Sequence, residues 1–216
     1  MITKIQFQKG ASVLTAEGAQ IGTVERVVVN LSTNVLTDIV VRTGGLLKHE
    51  EKVVPVRLIA ETSEDLILLR EEAGEIESLP PFEEERLVDA YGKDNHTAEQ
   101  HPVVVGFPVL GTPVVRASID EKPVTRIEQN IPEGTVAVKE GAKVITAEGE
   151  HVGNVEGVLA DPSGDEVTHL LISRGLLSKA TKLIPMNWVQ SLGEEQVHLR
   201  VKKNTVEKLA DTPLAV

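Results

Sequence analysis

The sequence predicts an all-β protein built from two small barrels in tandem, and three of its features carry that prediction. The first is an internal repeat. The run from Gly10 to Glu25 aligns without a gap on the run from Gly141 to Glu156 and matches at ten of sixteen positions, where average residue usage would give about one. The second is composition. Hydrophobic residues make up 41% of the chain but aromatics only 2%, so the cores are built from Val, Ile and Leu, which favour strands and small tight interiors. The third is punctuation: each copy breaks every few residues at Gly, Pro, Asn or Asp, giving five or six short strands in about sixty residues. So few strands suit a closed or partly closed barrel, which removes exposed edges, better than an open sandwich.

The strands follow in order. Ser12 to Thr15 is the first. Ala16 to Ala19 is the turn after it, where Gly18 is free to take positive φ. Ile21 to Asn30 comes next, with Gly22 where a bulge or barrel corner needs a missing side chain, and Gly153 recurs at the equivalent place. Asn30 to Asn34 then turns the chain, and the second copy uses Asp161-Pro162-Ser163-Gly164, a type I turn sequence. Val35 to Arg42 is matched by Glu166 to Ser173, and Val53 to Val56 by Leu183 to Met186. Pro55 and Pro185 donate nothing to a ladder, so this strand should end or lie at an edge there. Asp65 to Arg70, matched by Glu195 to Arg200, is the last.

Order and spacing are kept across both copies, which indicates duplication of a folding unit. Copies this far apart read as two domains rather than a solenoid. The organisation that follows is a first barrel over residues 1–70, an acidic Pro-rich linker over 71–135, a second barrel over 136–201, and a tail over 202–216. The linker holds seven of the eleven prolines, and its fourteen acidic against five basic side chains supply most of the net charge of -11. Within it, Phe82 to Tyr91 reads as one short acidic helix after Pro80-Pro81, and the rest, including Val103 to Phe107, as extended chain. It is read as a connector packing along the barrels, with a recognition strap as the functional alternative. In the tail, Asn204 to Glu207 has the form of a capping box for a short helix.

Several function classes lose their footing. An acidic chain whose only basic cluster is Lys202-Lys203 is a poor direct ligand for nucleic acid. With no cysteine there are no disulfides, thiolate metal sites or cysteine nucleophile, which suits a cytoplasmic setting. Met1 to Lys9 lacks the apolar core of a signal peptide, and Val103 to Val115, broken by Pro108 and Pro113, is too short to span a bilayer as a helix. There is no Gly-x-Ser-x-Gly elbow, phosphate-binding glycine loop or His-Glu-x-x-His, so no catalytic residue and no cofactor site is assigned. His96 and His101, with Asp94 and Glu99 nearby, have metal-ligand chemistry but sit in a proline-flanked linker and read as a solvated loop, so no metal is assigned. His151, His169 and His198 stand opposite Gln20, Asp38 and Leu68 of the first copy, so a site built from them would belong to one copy only.

The run Gly-x-x-Val-x-Thr-Ala-Glu-Gly-x-x-(Ile/Val)-Gly-x-Val-Glu, followed by an apolar strand, a Gly-Leu-Leu segment at Gly45 and Gly175, and an apolar pair before Pro55 and Pro185, resembles the PRC-barrel. This small SH3-like barrel is shared by the H subunit of photosynthetic reaction centres and the C-terminal part of a ribosome maturation factor. The resemblance covers residues 5–70 and 136–201. It implies a protein-interaction or assembly module, with no catalytic residues to carry over. Neither relative's specific function transfers, because the membrane helix of the one and the partner domain of the other are missing here.

The interaction candidates are Leu46 and Leu47 with their counterparts Leu176 and Leu177, which either plug a barrel end or form a contact patch. Trp188, standing where the first copy has Leu58, reads as core or barrel–barrel packing. The functional expectation is a non-enzymatic adaptor or scaffold of bacterial type with a protein partner. The two copies could pair within the chain about a pseudo-twofold axis, or as a homo-oligomer. The alternative is a ribosome-maturation-like factor acting through a ribosomal protein.

Overall fold

In the computed structural model, which describes residues 5–8, 10–45, 48–63, 65–73, 76–88, 124–161, 166–173 and 180–213, strands dominate. The first barrel runs β1 (Ile5–Gln8), β2 (Ser12–Leu14), β3 (Gln20–Asn30), β4 (Leu36–Gly45), β5 (Lys48–Pro55), β6 (Ile59–Thr62) and β7 (Leu66–Leu69). A hairpin of β8 (Glu83–Val88) and β9 (Val124–Gln129) comes next. The second barrel runs β10 (Thr135–Lys139), β11 (Lys143–Ile145), β12 (His151–Ala160), β13 (Val167–Ser173), β14 (Ala180–Pro185), β15 (Val189–Leu192) and β16 (Gln196–Leu199), then the short helix α1 (Lys203–Glu207) and β17 (Thr212–Pro213). Among the described residues no helix is long and apolar enough to cross a membrane.

Local chemistry explains why both copies fold alike. The shared Thr-Ala-Glu-Gly run makes the same turn twice. The Gly18 amide donates to the Thr15 carbonyl at 2.9 Å and the Ala19 amide to the Thr15 hydroxyl at 3.3 Å. Gly149 and Glu150 repeat both bonds on Thr146 at the same distances. Gly18 and Gly149 sit at φ 85° and 80°, where a side chain would be strained. The Thr15 hydroxyl and the local backbone also hold the exposed Glu17 carboxylate below the usual range. Next along the chain, a Cβ on Gly22 would collide with the Arg42 carbonyl, and one on Gly153 with the Ser173 carbonyl, so the bend of each long strand requires glycine. β5 and β14 end at Pro55 and Pro185, as their missing amides dictate.

Neither barrel closes on its own strands. One edge of β3 pairs with β2 over its first half, and the second half takes β10, from Thr135↔Asn30 to Lys139↔Arg26. Correspondingly, β12 pairs with β11 over its first half and takes β1 over the second, from Ile5↔Ala160 to Gln8↔Gly157. Each ladder becomes the other when every residue is replaced by its counterpart in the repeat: Phe7↔Val158 becomes Val138↔Val27. Between them Val35 bridges its own counterpart Glu166 in antiparallel fashion, which places a pseudo-twofold axis there, and the Val167 amide donates to the Asn34 carbonyl at 2.9 Å. A single core cluster accordingly runs through both barrels, from Phe7, Val27 and Ile39 to Val138, Val158 and Ile184.

The chain divides into Met1–Phe82 with Asn130–Val216 as one compact unit and Glu83–Gln129 as a second. Both barrels fall in the first of these compact units. Residues 71–82, read as linker from their charge, pack with the first barrel: Ala73, Ile76 and Phe82 are buried. Over the described part, Phe82 to Val88, the acidic helix expected from Phe82 to Tyr91 is not formed. Glu83–Val88 is strand instead, paired with Val124–Gln129, since backbone pairing with a β-branched segment overrides the helix propensity of a Glu run. At the other end α1 forms, but its N-cap is Lys202 without a side-chain cap bond, and Asn204 lies inside the helix. Val206, counterpart of Ile76, is the residue α1 buries.

Deleting residues 1–8 should therefore damage the other barrel. In native-state hydrogen exchange the β12 amides of Gly157–Ala160 are expected to lose protection most. Unchanged protection of Gly157–Ala160 would contradict the exchange.

Candidate interaction surface

Arg26 sits on β3 beside the donated β10, paired with Lys139. Its side chain is only 9% exposed. It reaches Glu51 of β5 at 3.3 Å, forms an ion pair with Glu194 in the β15–β16 loop of the second barrel, and stacks over the Phe82 ring at 4.8 Å from the centroid. A buried guanidinium is tolerated because carboxylates on two sides and a ring face replace its water. Phe82 seals a second apolar cluster of Val28, Val40, Val53 and Ala137 on the outer face of the β3–β4–β5 sheet.

The insert leaves and returns at this point. The Phe82 amide donates to the Glu51 carbonyl at 2.7 Å, and the Asn130 amide donates to the Phe82 carbonyl at 2.9 Å, with Asn130 Nδ2 donating to the Pro81 carbonyl at 2.8 Å. Phe82 and Asn130 thus touch, and the 47 residues between them need not bridge any distance. Pro80 and Phe82 bond to β5, and in the second barrel Thr212–Pro213 runs beside β14 in the same way. There the buried Lys182 ammonium ties down the tail through Asp211, at 2.9 Å, and the Leu209 carbonyl. Both outer sheet edges are thus covered rather than left open.

Within the second unit, the β8–β9 ribbon pairs Glu84 with Glu128 and Arg86 with Arg126 directly across. Glu83, Glu84, Glu85, Thr125 and Arg126 are exposed, as is Ile127, at 60%.

The structure places the sequence candidates unevenly. Leu46, Leu47, Leu176 and Leu177 lie outside the described residues, as do the linker residues His96, His101, Asp94 and Glu99 and the run Val103 to Phe107. Leu46 and Leu47 connect the paired positions Gly45 and Lys48. Trp188 is half-buried against the shared core, and its carbonyl accepts the Arg200 amide at 2.9 Å. The three histidines of the second copy do not converge. His151 contacts Asn154 and His169 contacts Thr168, each at 3.1 Å, while His198 lies exposed on β16. Sequence reasoning missed Arg26 and Phe82. The signal was there, since Arg26 faces Gly157 at the first position after the aligned run and Phe82 is one of three phenylalanines. Arg26→Ala should cost about 2 kcal/mol in urea unfolding, less than a fully buried pair would because Glu51 and Glu194 keep access to water. Arg26→Met, which keeps the contact with Phe82, should recover part of that loss.

Residues 138–207 match a family model described as an uncharacterized protein conserved in bacteria (DUF2171). No curated protein matches the chain. Residues 9–76, which hold the Thr-Ala-Glu-Gly turn, the Gly22 bend and strands β2 to β7, match the model of the PRC-barrel domain. The first barrel is thus similar to the PRC-barrel domain, which suggests in general a protein-interaction or assembly module.

Proposed function

We propose that this chain is a non-enzymatic bacterial adaptor of the cytoplasm, in which a strand-exchanged double barrel is the platform and residues 83–129 are the arm that recognises a protein partner. The observation that carries this reading is the contact between Phe82 and Asn130. A segment whose ends already meet does no work in joining the barrels, and a long insert retained without a spanning role is commonly functional. The exposed ribbon, with charges on both strands and Ile127 open, is the kind of surface an extended partner segment could join. The ribosome-maturation alternative has the same assembly logic and differs only in the partner.

The test compares two baits in a lysate of the host, the intact chain and a variant in which a short glycine turn joins Phe82 to Asn130. The variant is expected to keep its melting temperature to within about 4 °C, on the order of 1 kcal/mol for a chain of this size, and to lose a stoichiometric partner that the intact chain retains. Equal capture by both baits would move recognition to the barrels. Ribosomal proteins on the intact bait would favour the maturation reading.

A further inference from the structure

The compact unit that holds both barrels is made of two stretches of chain, 1–82 and 130–216, and their only covalent join is the insert. Neither stretch is complete alone. Residues 1–82 leave one edge of β3 without a neighbour from Arg26 to Asn30, and residues 130–216 leave β12 in the same state from Gly157 to Ala160. What fills each gap comes from the other stretch. The β1–β12 ladder supplies four residue pairs and the β10–β3 ladder five, with the Val35–Glu166 bridge between them. The fit of β1 is close, since a Cβ on Gly157 would collide with the Phe7 carbonyl oxygen. Around the ladders one core cluster takes Phe7 and Val27 from the first stretch and Val138 and Val158 from the second. Arg26 pairs with Glu194 across the same divide. Even where the insert departs, Asn130 of the second stretch donates to the Pro81 and Phe82 carbonyls of the first.

We propose that the platform is a heterodimer written in one chain: residues 1–82 bind residues 130–216 through the exchanged strands and shared core, and need no covalent join to do so. The partner that fits the open edge of β3 is β10, and the partner that fits β12 is β1. The insert supplies proximity, raising the local concentration of each stretch about the other, while the contacts themselves lie outside residues 83–129. A protease that cuts within the insert would then break its covalent continuity and leave the platform standing, which makes such a cut a control point for whatever the insert does. The inference is independent of what the insert binds.

The test makes the full chain as two co-expressed pieces, split between Gly92 and Lys93, with an affinity tag on the first piece only. The untagged piece should be retained one to one and stay bound through gel filtration at ~1 μM. The pair should melt in one transition whose midpoint rises with protein concentration, as unfolding to two chains demands. Pieces that stay apart or aggregate, or a midpoint that ignores concentration, overturn the proposal. Gly157→Ala in the second piece should weaken the association at least roughly tenfold, because the β1 backbone can no longer lie at its present distance from β12. In the intact chain, where the join keeps the stretches together, the same substitution should leave a folded protein of lower melting temperature. If that intact variant fails to fold, deletion of residues 1–8 from the first piece takes its place, with the same loss expected. Association unchanged by either alteration overturns the assignment to the exchanged strands.

Discussion

A β-strand longer than its own neighbours leaves backbone amides and carbonyls along the uncovered part of its edge, and in a buried setting each such group costs about as much as a lost hydrogen bond. In this chain both long strands carry that burden: β3 extends past β2, and β12 past β11. The groups are satisfied by strands from the opposite barrel, so closing one barrel depends on the presence of the other. The shared core follows from this exchange, since Phe7 and Val138 enter it on donated strands.

The insert and the covered outer edges are consequences of the same arrangement. With the barrels held by backbone pairing, the chain between them leaves and returns at Phe82 and Asn130, which are in contact. The two post-barrel segments are equivalent in role but unequal in chemistry. One seals its edge through Pro80 and Phe82 under Arg26, the other through Thr212 and the Lys182–Asp211 pair. That asymmetry fits two halves that match different family models over the same stretch of fold.

Much of each barrel was legible in the sequence, and for identifiable reasons. Strands β2 to β5 and β7 lie between turns whose residues carry their own geometry: Gly18 and Gly149 at positive φ, Gly22 and Gly153 at the bends, Pro55 and Pro185 at strand ends. The donated strands were not legible. Ile5–Gln8 and Thr135–Lys139 are runs of four and five residues whose partners lie far away in sequence, so no local signal distinguishes them from loop. Glu83–Val88 was misread because its Glu run favours helix in isolation and only the pairing with Val124–Gln129 makes it strand. Of the site, the leucine pairs were singled out as apolar residues beside glycine. Arg26 was passed over because a lone arginine in an apolar strand gives no hint that two carboxylates and a ring will surround it.

The account rests on the two barrels being one cooperative body, and differential scanning calorimetry of the intact chain tests that directly. A single transition for the barrels, with a calorimetric enthalpy equal to the van't Hoff enthalpy, is the predicted result. Two separable transitions, each with the enthalpy of one barrel, would contradict it.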